Sequence, residues 1–584
     1  MNRRATTTSQ KLSPSDSRTQ GTKPRKTPAG RRPGPRGWSG HGLGRAAMVD
    51  PAPEFRGTTV QVCGLYPFAA GTGSPIVGVP LGQNLISGAT VGCDPISWFR
   101  RANLIANPSA FILGLPGLGK STVVRRMALG LAGYGVHPFI LGDLKPDYLD
   151  LVTAMGGDVL PLGRGRGHLN VLDPGESTAA ARRLTGKARS EVLADAHGRR
   201  LTIVSALLTI ARAAPPTDRE EAILDRALRV LDERHDRGVT GSGQVQVPVL
   251  GDLVAVIRSA PEDVRQVALD RGDLDRYRAI TEGLEASLVA LVEGGRFGRV
   301  FSEQTTNPMR RDRPVVFDVS AIGDGETDLQ AAILLACWST GFGTINVANA
   351  LAEAGLEPRR HYFVVLDELW RALRAGRGIV DRVDALTRLN RQRGVGMAMV
   401  SHTMSDLLAL PTEEDRMKAR GFVERAGMVI CGGLPAAEIP MLTSAVGMSR
   451  AERNLVTSWT TPPAWDSTLG DAGAPPGQGK FLIKVGGRPG IPVQVALTSV
   501  EGGLNDTNKK WRDVDPADLV GKALDVDDVG SVDDRIGRID LDAVDNPVVS
   551  AETIDLAAGE QLAQSLEDQA NRPVTLGASP EVTA

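Results

Sequence analysis

The sequence predicts an α/β fold, a parallel sheet flanked by helices, and three observations predict it. An apolar run, Ala110–Leu113, enters a glycine-rich loop, then a helical stretch, Lys120–Leu131, then a second strand at Pro138–Leu141. This order is βαβ grammar, which joins parallel strands. Apolar strand runs return at Pro314–Val319, Tyr362–Leu366 and Gly396–Val400. Between the two groups, residues 176–310 are rich in Ala, Leu and Arg. Helical periodicity in Arg199–Ala213, Glu220–His235 and Leu274–Val292 marks them as a mostly helical insertion.

Taken in chain order, residues 1–54 form a basic tail. The first fifty residues hold eleven Lys and Arg against two acids, among many Ser, Thr, Pro and Gly. Such a composition predicts disorder. The readings are a solvated tail, upstream sequence that is not translated with Met48 as the true start, or a tail that touches nucleic acid or anionic lipid. Residues 55–107 read as a small β-rich segment, with short runs at Thr59–Val62 and Ile76–Val79. The sheet domain is split into 108–175 and 311–500 by the insertion. It ends in a hairpin, Lys480–Val485 and Ile491–Leu497, that turns at Gly486–Gly490. The tail 501–584 carries nineteen acids against seven basic residues and is expected to be largely disordered.

Bulk properties exclude several classes. Hydrophobic and charged fractions of 41% and 23% are ordinary for a globular chain. Aromatics are only 4%, so the core must rest on Leu, Val, Ile and Ala. The four cysteines, Cys63, Cys93, Cys337 and Cys431, form no CxxC pair. That spacing argues against a zinc site or disulfide framework and fits a reducing compartment. The uncharged stretch Leu329–Ala352 contains Ser339, Thr340, Asn346 and Asn349. These polar groups favour a buried core helix over a transmembrane segment. With no apolar signal-peptide core either, the expectation is a cytoplasmic chain that meets a membrane only peripherally or through a partner.

The chemistry begins at the loop. Gly114, Leu115, Pro116, Gly117, Leu118, Gly119, Lys120 and Ser121 match G-x-x-x-x-G-K-[ST] at every fixed position. Glycines let successive backbone N–H groups curl around phosphate oxygens, and the helix that follows, through Ser121 and Thr122, points its positive end at the same charge. Lys120 is expected to reach the β- and γ-phosphates of ATP, and Ser121 to ligate Mg²⁺. The fold class thereby narrows to a P-loop NTPase (RecA-like) sheet.

Such a loop needs an acidic partner. Tyr362–Leu366 ends in Asp367 and Glu368, and an acid at the C-terminal end of a buried parallel strand faces the ligand crevice. Asp367 is expected in the Mg²⁺ shell and Glu368 at the attacking water. Ser401 and His402 end the next strand; His402 reads either as a γ-phosphate sensor or as a structural histidine. Asp143, Lys145 and Asp318 end further strands, where a crevice role and a turn role are both open. An arginine lent by a neighbouring subunit would complete the site. Arg393 is the first candidate, ahead of Arg425, Arg391 and Arg420.

Longer stretches carry a resemblance. Phe139–Pro174 holds Asp143 and Lys145, then Gly156 and Gly157, then Asn170 to Asp173; VVFDVS spans Val315–Ser320, VVLDELWRAL spans Val364–Leu373, and RLNRQRGVGMAMVSHTMSDLLAL spans Arg388–Leu410. In order and spacing, over roughly 108–500, these resemble the conjugative and type IV secretion motor ATPases, the energising ATPase and its coupling-protein relatives, of the HerA–FtsK P-loop superfamily. The resemblance implies a homo-hexameric ring, ATP and Mg²⁺, membrane components of a transfer channel as partners, and DNA or protein as cargo. Ser401-His402 departs from the usual Thr-Gln, and the long N-terminal domain of the energising ATPases is reduced here. Two rivals remain: a double-stranded DNA translocase of the FtsK/HerA kind, and a scaffold that binds ATP to assemble. An intact Glu368 disfavours the scaffold.

Overall fold

The computed structural model describes residues 73–504, apart from 237–246, 294, 296, 298, 375–378, 388–392 and 464–473. The strand expected at Thr59–Val62, the readings of both tails beyond these limits, Cys63 and Arg391 lie outside the described residues.

Eleven strands form one sheet: β1 (Pro80–Asn84), β2 (Thr90–Gly92), β3 (Ser109–Leu113), β4 (Val136–Asp143), β5 (Asp158–Pro161), β6 (Val315–Asp318), β7 (His361–Leu366), β8 (Val395–Val400), β9 (Met428–Cys431), β10 (Lys480–Lys484) and β11 (Ile491–Val495). Their order across the sheet is β2-β1-β11-β10-β9-β3-β8-β7-β4-β6-β5. The seven strands from β9 to β5 run parallel. The remaining four are antiparallel, so the N-terminal pair β1–β2 and the C-terminal hairpin β10–β11 make one wing.

Strand alternation explains the layers. Phe111, Leu113, Val364, Leu366, Met397 and Met399 join the core under the insertion, while Ala110, Ile112, Phe363, Val365, Ala398 and Val400 join the core of the opposite face. Successive side chains leave opposite faces of a strand, and both faces are covered, so the central strands are apolar throughout. The helix α1 (Lys120–Gly133) buries Val123, Val124, Met127 and Leu131 against the second face.

On the first face lie the insertion helices, of which α2 (Gly186–Arg212), α3 (Asp218–Asp236), α4 (Leu250–Arg258) and α5 (Leu274–Val292) are the longest, and then α6 (Thr327–Glu353). The stretch expected as a core helix is α6. It is long and apolar enough to cross a membrane, yet 83% of its most apolar window is buried inside the protein. Close approach requires glycine there: a Cβ on Gly341 would sit 2.5 Å from Leu141 Cδ1 of β4.

Three local expectations change. Ile76–Val79 is not a strand: Gly78 takes φ +116°, the chain bends, and β1 starts only at Pro80. The four-residue strands β5 and β9 are too short to stand out by periodicity. At the C-terminal boundary a helix, Ser499–Leu504, runs past residue 500, and its Glu501 is buried against Arg126 of α1, Nη1 to Oε2 2.6 Å.

Candidate nucleotide-binding site

The glycine-rich loop is seated by backbone bonds to its neighbours. Gly114 N donates to His402 O (2.9 Å) after β8, Leu115 N to Gly433 O (3.0 Å) after β9, and Gly479 N to Leu118 O (3.0 Å) from before β10. Gly117 and Gly119 take φ of +79° and +97°, a region that penalises any Cβ. The loop then enters α1, whose N-cap Gly119 offers no side-chain cap. The first-turn N–H groups of a helix otherwise lack partners and attract anions.

Lys120 is buried, with 8% of its surface exposed, and its Nζ donates to Leu115 O at 3.2 Å. Burial lowers its pKa to about 8, while the charges of Asp367 and Glu368 act to keep it protonated. Because β3, β8 and β7 are parallel neighbours, the loop lysine and the acids after β7 open at the same edge of the sheet. Ser121 and Thr122, in the first turn of α1, are half-buried.

Asp367 is held by Tyr148, whose hydroxyl donates to Oδ2 at 3.0 Å, and by the Glu368 amide, 2.8 Å from Oδ1. Burial raises its pKa to about 6, and the adjacent Glu368 charge adds to the rise. Glu368 sits in the left-handed region, φ +50°, a strain of roughly 1–2 kcal/mol for a residue with a Cβ. Three side chains fix it: Lys145 Nζ at 2.9 Å from Oε1, and Trp370 Nε1 and His402 Nε2 at 2.6 and 3.3 Å from Oε2. Burial pushes its carboxyl up, but His402 and Lys145 outweigh that and hold it well below the usual range. Ser401 Oγ and His402 Nδ1 are buried without hydrogen-bond partners. Orphaned polar atoms of this kind, beside a glycine cradle, two carboxylates and a lysine, fit a polar ligand that brings its own donors and acceptors.

Other expected residues separate. Lys145 joins the site through Glu368. Asp143 instead organises the turn after β4: its carboxylate accepts Asp147 N (3.2 Å) and Tyr148 N (2.8 Å), and burial raises its pKa. Asp318 accepts Ser320 N (3.1 Å) and Oγ (2.6 Å) and pairs with Arg166 (3.2 Å). Arg393 precedes β8, at the strand end opposite Ser401 and His402. It is half-buried, 6.0 Å over the Phe342 ring, and its carbonyl accepts Asn349 Nδ2. Arg420 bonds Glu424 and Ser444 O, and Arg425 bonds Asp384. None of these arginines joins the crevice of its own chain.

Sequence reasoning missed Tyr148 and Trp370. The turn that places Tyr148 is legible in Asp143, an acid at a strand end that caps the next amides. Which side chain then points at Asp367 is not.

No family model matches the sequence, and no curated protein matches it. Among solved structures, VirB4 of Thermoanaerobacter pseudethanolicus is similar at a TM-score of 0.53 and 18% identity, over 74% of this chain and 100% of that one. The bacterial conjugative coupling protein TrwB (TrwBΔN70) is similar at a TM-score of 0.40 and 15% identity, over 72% and 89%. TrwB in complex with ADP and Mg²⁺ gives 0.38 and 12%, over 72% and 90%. This chain has the fold of VirB4, a mostly parallel sheet flanked by helices, as its sequence resemblance implies.

Proposed function

We propose that this chain is a Mg²⁺-dependent ATPase that powers a type IV secretion or conjugative transfer system. The convergence of Lys120 with Asp367 and Glu368 at the mouth of a glycine loop carries the reading. The donor set fits the ligand: backbone amides and Lys120 for phosphates, and hard oxygens from Ser121 and Asp367 for the metal. Ser121 and Asp367 would hold Mg²⁺, which would supply positive charge against the charge that develops on the phosphate.

The protein's own part follows from geometry. Residues Gly114–Thr122 bind and orient the triphosphate. Tyr148 holds Asp367 in place to face the metal. Glu368 takes a proton from water as the water oxygen bonds to the γ-phosphorus. The bond from that phosphorus to the β–γ bridging oxygen breaks, releasing ADP and phosphate. His402 stays beside Glu368 and senses the γ-phosphate. Arg393, at the end of β8 opposite its own crevice, serves a neighbouring subunit of a homo-hexamer. The chain works at the inner face of the plasma membrane with channel components as partners, and its cargo is DNA or protein.

The test is steady-state ATPase activity with and without linear double-stranded DNA, beside the mass in solution with ATP. Turnover that rises with protein concentration and ignores DNA supports a secretion energiser. Strong DNA stimulation of hexamers, weakening steeply with salt, favours a DNA pump. No hydrolysis under either condition contradicts the proposal.

A further inference from the structure

The contacts of Glu368 divide into two kinds. Trp370 follows it by two residues, and His402 comes from the adjacent strand β8. Lys145 arrives from elsewhere: it lies two residues beyond β4, the strand beside β7, and reaches across the C-terminal edge of the sheet to Oε1. Lys145 is also 55% exposed at its side chain, whereas Glu368 is 8% exposed. The lysine therefore bridges the open crevice and the buried acid. Lys145 thus stands at the same C-terminal edge of the sheet from which the glycine loop emerges, already paired to the acid.

We propose that Lys145 is the positioning residue that ties the freedom of Glu368 to the presence of a γ-phosphate. Resting on the ATPase reading above, this assigns Lys145 two partners in turn. Without a γ-phosphate it pairs with Glu368 Oε1 and occupies the lone pair that would otherwise accept a water proton. A γ-phosphate offers three anionic oxygens, and Lys145 exchanges the carboxylate for them. Glu368 Oε1 then faces water, still oriented through Oε2 by Trp370 and His402. ADP, lacking that phosphoryl group, leaves the pair closed. The left-handed backbone at Glu368 suits such a device, since strained residues at active sites persist where several contacts determine them.

Trp370 supplies a reporter. Its indole N–H bonds Glu368, the guanidinium groups of Arg371 and Arg374 stand 4.9 and 4.5 Å from its ring, and the His402 ring lies tilted 46° at 6.2 Å. The full-length protein has seven tryptophans, so the Trp370 signal is the fluorescence difference between wild type and Trp370→Phe. The experiment adds a non-hydrolysable ATP analogue or ADP, each with Mg²⁺, and measures hydrolysis in parallel. The inference expects the analogue, and not ADP, to change the Trp370 signal. Lys145→Met should abolish that distinction and lower kcat about tenfold or more, with KM changed less than about threefold. Lys145→Arg should restore most of both. Equal signals with ADP and the analogue in wild type overturn the inference, whether or not Lys145→Met folds. So does a Lys145→Met protein that keeps the distinction or a wild-type kcat. Lys120→Ala separates the two levels: if it binds and hydrolyses ATP normally, the ATPase reading itself fails, whereas its inactivity beside a normal Lys145→Met rejects only the role of Lys145.

Discussion

Tyr148 shows how much of the site depends on residues that carry no chemistry themselves. It is fully buried, and burial together with the charge of Asp367 keeps its phenol protonated, so it donates to Asp367 rather than competing with it. Tyr148→Phe would leave a buried carboxylate oxygen short of a donor, at a cost of about 1–3 kcal/mol. Urea unfolding of the nucleotide-free protein should register that loss, and an unchanged midpoint would mean that water replaces the phenol. The residues legible in advance were those with a fixed spacing: the loop from Gly114 to Ser121 and the pair Asp367–Glu368. Tyr148 and Trp370 were not legible, because their contacts cross between β4 and β7 or depend on a rotamer. Asp318 and Asp143 illustrate the converse. An acid at a strand end has two common uses, and only the coordinates reveal turn bonds to Ser320 and Tyr148.

At the scale of elements, glycine conformations and charge pairs decide what each segment tolerates. Gly119 joins the loop to α1 at φ +97°, with Gly479 N only 3.5 Å from a notional Cβ. Gly119→Ala adds strain of roughly 1–2 kcal/mol just where the backbone must meet phosphates. Nucleotide affinity should fall about tenfold or more, as read by calorimetry. Full affinity would show that the loop adopts another path.

In the insertion, His197 of α2 bonds Asp225 of α3 at 2.6 Å and lies 3.8 Å from Asp232. The nearby Asp232 carboxylate is the largest cause that raises the His197 pKa above 6.5, with Asp225 adding and burial opposing. A histidine raised in the folded state stabilises fully below its unfolded pKa and loses that contribution as pH climbs through the folded value. Hydrogen exchange in α2 and α3 should therefore speed up as pH rises above 6.5, beyond the intrinsic pH effect, and His197→Asn should remove the excess. The main insertion helices were legible from periodicity. β9 was not, although it lies beside the loop strand, because four apolar residues look alike in a strand or a helix.

The whole molecule places its chemistry by topology. Parallel strands β3, β7 and β8 are neighbours in the sheet, so the loop, the acidic pair and His402 meet at one edge although hundreds of residues separate them in sequence. The resemblance made that fold legible. The antiparallel wing of β1, β2, β10 and β11 was only half legible: its hairpin was expected, its closure by the N-terminal strands was not. That wing also supports function, since Gly479 braces the loop from its base.

The central claim is that Glu368 activates water for an ATP held by the Lys120 loop. Glu368→Gln keeps the size and removes the base, and its amide can accept at only one of the two oxygen positions that take the Lys145 and Trp370 donors. Mg²⁺–ATP binding and single-turnover hydrolysis, measured on the same preparation, test the claim most directly. The account predicts near wild-type binding with hydrolysis lowered about 10²-fold or more. Hydrolysis at the wild-type rate would contradict it.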